Sequence, residues 1–207
     1  FADFAEYKYF LRKENSFGIL LNQPKSYPSG VATSLQFQLS NSELEPQTEL
    51  TQNHGAFVHA VIFGQGSLTQ DHLHPTFSGK PGVWETTHTF PSAGKYLIAL
   101  DFNIRNQTIT ELFPITVTGD DVIEPKYTER FIDEHDGYTL TLRKNPIYAK
   151  YLSTLTVDIQ KDGKPVTNLT PYLNSVMHVT GVDNNLLHYF HGHGYIPENQ
   201  FLQFLTG

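Results

Sequence analysis

Six histidines stand in two sets of three that one constant offset relates. His59, His72 and His74 recur 119 residues later as His178, His191 and His193 with no gap. Few other residues of the windows 59–75 and 178–194 match. Three neutral imidazoles at one place suit Zn²⁺, Cu²⁺ and Ni²⁺. Cu(I) normally recruits Cys or Met, and this chain has no Cys and one Met, Met177 beside His178. The expected cofactor is therefore copper(II) or zinc. Water, Asp71, His54 or His88 would complete the first set, and His188 or Asp183 the second. A competing reading has the imidazoles bonded to backbone carbonyls, shaping the chain without a ligand. A third makes them pH sensors, because histidine titrates near neutrality.

The spacing fits a β-hairpin. His59 and His72 are equidistant from Gln65-Gly66, and His178 and His191 from Asn184-Asn185, all good turn residues. A two-residue turn there sets His59 opposite His72, and His178 opposite His191. His74 and His193, two residues further on, then point to the same face as His72 and His191. Opposed side chains have Cβ atoms about 5 Å apart and diagonal ones about 7 Å. Such rings can close on one ion at bonds of about 2.0–2.1 Å.

The elements that must carry these hairpins are strands. Fifteen Phe and eleven Tyr against one Trp and one Met suit sheets. Val31–Leu39 alternates, with Leu35, Phe37 and Leu39 on one side and Gln36 and Gln38 on the other. Phe17–Leu21, Val83–Phe90, Lys95–Phe102 and Glu111–Thr118 read as further strands, with Pro91-Ser92-Ala93-Gly94 as a turn. Leu155, Val157 and Ile159 repeat the pattern of Leu35, Phe37 and Leu39. Pro165 to Thr170 repeats Pro46 to Thr51. The expected fold is all-β: two tandem immunoglobulin-like β-sandwich domains. Their bounds are 1–119 (with an N-terminal extension 1–12) and 127–207, joined by a linker over 120–126. The second copy lacks counterparts of the last two strands of the first. Tyr7-Lys8-Tyr9-Phe10-Leu11 reads as a strand outside the repeat, and a head-to-tail donation of it into the second domain of another copy would build filaments.

Composition narrows the function. Fourteen basic and twenty-one acidic residues leave a net charge of −7, with no basic patch, so nucleic acid is not expected as a partner. No apolar run approaches the ~18 residues of a membrane span. Without Cys there is no thiolate chemistry and no disulfide framework. No G-x-S-x-G, P-loop or H-E-x-x-H occurs, so a non-enzymatic role is expected. Asn106-Gln107-Thr108 and Asn168-Leu169-Thr170 are sequons that matter in a eukaryotic secretory pathway.

The Lys-Pro-Val-x-x-Leu loop at 164–169, Met177-His178, and the His72-x-His74-Pro75 and Phe190-His191-x-His193 segments resemble the YtkA-like and related exported immunoglobulin-like domains. Phe90-Pro91-Ser92-Ala93-Gly94-Lys95-Tyr96 is similar to a further segment of that family. The resemblance implies a two-layer sandwich, an extracellular or periplasmic location, and an association with metals, copper above all. Two departures stand out: Gly194 replaces Pro75, and the second copy stops early. The other class of function open to such a chain is a structural or adhesive extracellular subunit, with the histidines as scaffold.

Overall fold

The computed structural model describes residues 17–21, 26–65, 70–105, 107–122, 129–143, 146–148, 151, 153–171, 175–196 and 202–206. These are strands, turns and loops, with no helix among the described residues. The chain divides into two compact units, Phe1–Lys126 with Asn184–Leu186, and Tyr127–Asp183 with Leu187–Gly207. The segment 7–11 lies outside the described residues.

Ten strands are described in the first unit. They are β1 (Phe17–Leu21), β2 (Tyr27–Pro28), β3 (Ala32–Ser40), β4 (Leu50–Thr51) and β5 (Val58–Gly64), then β6 (Gln70–Leu73), β7 (Thr76–Phe77), β8 (Val83–Thr89), β9 (Gly94–Ile104) and β10 (Gln107–Thr118). One sheet has the order β1-β3-β8-β7, the other β2-β10-β9-β5-β6 with β4 against β9. The alternation of β3 turns Leu35, Phe37 and Leu39 fully inward, while Gln36 and Gln38 stay half-buried on the other side. They meet Val58, Ala60 and Ile62 of β5 and Tyr96, Ile98, Leu100 and Phe102 of β9 in one core. The first unit is thus a β-sandwich, two sheets closed over a shared apolar layer.

Local chemistry ends the strands where the sequence suggests. After β3 the Asn41 side chain accepts hydrogen bonds from the backbone N–H of Glu43 and Glu45 at 3.0 and 2.9 Å, turning the chain. Between β8 and β9, Phe90 is fully buried between the rings of Tyr27 and Tyr96, at 5.5 and 5.2 Å. The Tyr96 hydroxyl donates to the Ser92 carbonyl at 3.0 Å, pinning that turn to β9.

The second unit contributes β11 (Ile132–His135), β12 (Tyr138–Leu142), β13 (Ser153–Lys161), β14 (Lys164–Pro165), β15 (His178–Val182), β16 (Tyr189–Tyr195) and β17 (Leu202–Thr206). They form one seven-stranded sheet, β11-β12-β13-β17-β16-β15 with β14 against β13. Registers Leu140↔Ile159 and Leu142↔Val157 gather apolar side chains on one face. That face is only partly covered: Tyr138 and Leu140 are exposed and Leu142, Leu155, Val157 and Ile159 half-buried.

Candidate metal centre

Each histidine set lies on a hairpin, as its spacing predicts, but in a different register. β5 pairs with β6 so that His72 faces Val61 and Leu73 faces Ala60. Continued one step past β6, that register brings His74, not His72, level with His59. In the second unit His178 faces His193, and Thr180 faces His191. Both hairpins are therefore shifted by two residues from the expected pairing. The reason is visible in the second. Its connection runs from Asp183 to His188, because the Asp183 carboxylate accepts from the N–H of Leu187 at 2.7 Å and of His188 at 3.1 Å. That side-chain bridge favours a wide loop over a two-residue turn. A shift of two keeps every side chain on its original face, whereas a shift of one would have reversed them all.

In the first unit, Val58, Ala60 and Ile62 point into the sandwich, and His59 alternates to the opposite face with Val61. His59 is 2 % exposed, while His72 is half-buried. The ring centroids are 5.3 Å apart for His59–His72, 4.9 Å for His59–His74 and 5.0 Å for His72–His74. One nitrogen from each ring lies within 4.8 Å of the other two. Donors around a tetrahedral ion with bonds of about 2.0–2.1 Å sit roughly 3.3–3.4 Å apart. His59 Nδ1 and His72 Nε2 are already 3.1 Å apart. Small side-chain rotations would bring in His74.

The tautomer of His59 follows from its other contact. His59 Nε2 is 2.8 Å from the backbone carbonyl of Asn53, so it carries the proton and donates it there. Nδ1 then presents its lone pair to the cluster. A second partner that fixes ring orientation and tautomer in this way is the usual support of a metal-binding histidine. Asn53 is held by a tight turn, with Asn53 and Ala56 exchanging backbone bonds at 2.9 and 3.2 Å. His54 occupies that turn with φ 48°. Burial pushes the His74 imidazole below its usual pKa, which favours the neutral, metal-binding form.

The second set repeats two of these three distances, and the grouping of ligand nitrogens within 4.8 Å seen in the first set does not extend to His191. The centroids are 5.9 Å apart for His178–His191, 4.9 Å for His178–His193 and 4.8 Å for His191–His193. The edge-on contact recurs between the equivalent rings, at 89° for both His59–His74 and His178–His193.

Four of the proposed fourth ligands, Asp71, His88, Asp183 and His188, are placed elsewhere. Asp71 pairs with Ile62, whose side chain enters the core, so it points to the face opposite His72. There it approaches His88 Nε2 at 3.8 Å. Asp183 and His188 pair with each other at 3.0 Å at the hairpin turn, and that contact, with the backbone bonds to Leu187 and His188, holds the Asp183 carboxyl below its usual pKa. They shape the loop. Sequence reasoning missed two residues near the first set. The Asn53 carbonyl is a backbone group that no side-chain pattern reveals. Asp101 is a lone carboxylate inside the apolar run Tyr96-Leu97-Ile98-Ala99-Leu100-Asp101-Phe102, a signal that was available.

His88 makes a pH prediction. It is buried edge-on against Phe90 at 4.6 Å. Burial lowers its pKa below the ordinary 6.5, and the nearby Asp71 charge only partly opposes this. The folded protein thus keeps His88 neutral where the unfolded chain already takes up a proton. Its contribution is complete above about pH 6.5 and is lost as pH falls from there toward the folded pKa, at up to about 1.4 kcal/mol per pH unit. Denaturant titrations of metal-free protein should show this decline, and His88→Leu should flatten it. An equal slope in the variant would remove His88 as its source.

The fold and the two triads define a β-sheet protein with paired three-histidine hairpins. The chain belongs to the family DUF8832, a domain of unknown function, which matches residues 16–119 and 133–205. No curated protein matches the chain.

Proposed function

We propose that this chain is an exported, non-enzymatic protein that binds a transition metal, Cu²⁺ or Zn²⁺, through His59, His72 and His74 and again through His178, His191 and His193. The observation that carries the reading is the first triad: three imidazole nitrogens within 4.8 Å, one ring held by Asn53 with its lone pair inward. The recurrence of the ring geometry in the second hairpin supports it. So does the resemblance of both hairpins to YtkA-like exported domains, on which the location rests. Without thiolates, the donor set favours Cu²⁺ over Zn²⁺ in affinity.

A second reading is a structural or adhesive subunit, and two observations favour it. The 3.1 Å contact between His59 and His72 lets the rings satisfy each other without an ion. The half-covered face around Tyr138 and Leu140 suits contact with another chain. Chelator-stripped protein titrated calorimetrically with Cu²⁺ and Zn²⁺ separates the readings. The metal reading expects two ions per chain, bound far more tightly than millimolar, with no self-association. Binding no tighter than millimolar, with particle growth in light scattering that deletion of residues 1–12 abolishes, would establish the subunit.

A further inference from the structure

We infer that the first centre hands on its ion by ligand exchange at His74: a neutral imidazole of an acceptor enters from the depression beside that ring and displaces it, while His59 and His72 keep their hold. This rests on the metal reading. The three ligands are held unequally. His59 lies within β5, is 2 % exposed, and donates from Nε2 to the Asn53 carbonyl at 2.8 Å. Turning that ring away would break a buried hydrogen bond. His72 lies within β6, pairs with Val61, and places its Nε2 3.1 Å from His59 Nδ1. His74 lies past the end of β6. With Pro75 it forms the link to β7, which belongs to the other sheet. No strand ladder holds it. Its ring meets those of His59 and His72, and among the described residues it has no hydrogen-bond partner.

His74 also has room beside it. With Ser34, Thr76, Glu85, Thr86 and Thr87 it lines a surface depression of about 410 Å³, a size suited to a small ligand. The lining selects the donor. The hydroxyls can bond the distal N–H of an incoming imidazole. The Glu85 carboxylate, which accepts from Gln36 at 2.9 Å, brings a negative charge that repels an anionic donor. In the exchange the bond from the ion to His74 breaks as the bond to the incoming nitrogen forms. The ion stays divalent and no electron moves. His74 is thus the exchangeable ligand, and His59 the anchor.

The test is made in full-length protein carrying His191→Ala and His193→Ala, so that Cu²⁺ absorption reads the first triad alone. Excess free imidazole should strip Cu²⁺ from this parent at a rate that doubles with each doubling of imidazole, because the donor attacks before the ion leaves. His74→Gly joins the depression to the ion. Millimolar imidazole should return the absorption of the loaded variant to the parent's, and acetate at the same concentration should not. His59→Gly should gain nothing from imidazole, since the place of its ring is closed to solvent. Should that variant fail to fold, as metal-free unfolding curves would show, the parent's rate decides. A stripping rate independent of imidazole would mean spontaneous release and overturn the inference. So would equal restoration at both positions, none at His74→Gly, or restoration by acetate, each leaving the metal reading intact. A parent that binds no Cu²⁺ would overturn both.

Discussion

A chain carrying His72→Ala and His74→Ala should take up one copper or zinc ion where the parent takes up two. The pair His191→Ala and His193→Ala should remove the other. Each double change deletes two of three donors from one hairpin. The single imidazole left, His59 or His178, cannot hold an ion tighter than millimolar. The effect on stability is equally direct. An ion bound to the folded chain at one hundred times its Kd adds about 2.7 kcal/mol, which the variant forfeits at that centre. His72→Ala also removes the partner 3.1 Å from buried His59 Nδ1. Losing that hydrogen bond costs about 0.5–1.5 kcal/mol in the metal-free state. Uptake at the intact hairpin is the internal control for folding. Two ions bound by either double variant, at parental affinity, would mean that the histidines are scaffold.

The pairing of the two triads was legible because histidine spacing survives where the surrounding residues do not. The strands of the first unit were legible because alternation in β3 and the apolar run of β9 fix which faces are buried. Register was not, since it depends on how a loop is held. The Asp183 carboxylate reaches backbone groups four and five residues on, and nothing in Asn184-Asn185 announces that the loop is wide. The face survived the error because the shift was even. Asp71 and His88 were misassigned for the same kind of reason. A residue adjacent to a ligand in sequence lies on the opposite face of a strand, so Asp71 beside His72 could not join it. Asp101 lies far from the triad in sequence and reaches it only through the pairing of β5 with β9.

Phe102→Ala should be the most damaging single change in the first unit, and it should reach the metal centre through the backbone. Phe102 is 1 % exposed in the core and faces Val58 across the β5–β9 pair. Truncating a buried Phe to Ala costs about 3–5 kcal/mol in lost transfer energy and cavity formation. That is a large share of the 5–15 kcal/mol, roughly, that holds a domain folded. β9 is also the strand against which β4, β5 and β10 pair, so its loosening is felt on both faces of the sheet. Core residues Phe102 and Val58 sit beside Asp101 and His59 in the chain, and the two pairs share one stretch of ladder. Zn²⁺ affinity at the first triad should therefore fall along with stability, while uptake at His178, His191 and His193 is retained. Ile19→Ala, at a position 41 % exposed, is the comparison and should stay within about 0.5 kcal/mol of the parent. Denaturant unfolding monitored with and without Zn²⁺ measures both quantities. A Phe102→Ala chain that loses stability yet binds at the first triad as tightly as the parent would show that the hairpin β5–β6 holds its ligands without β9.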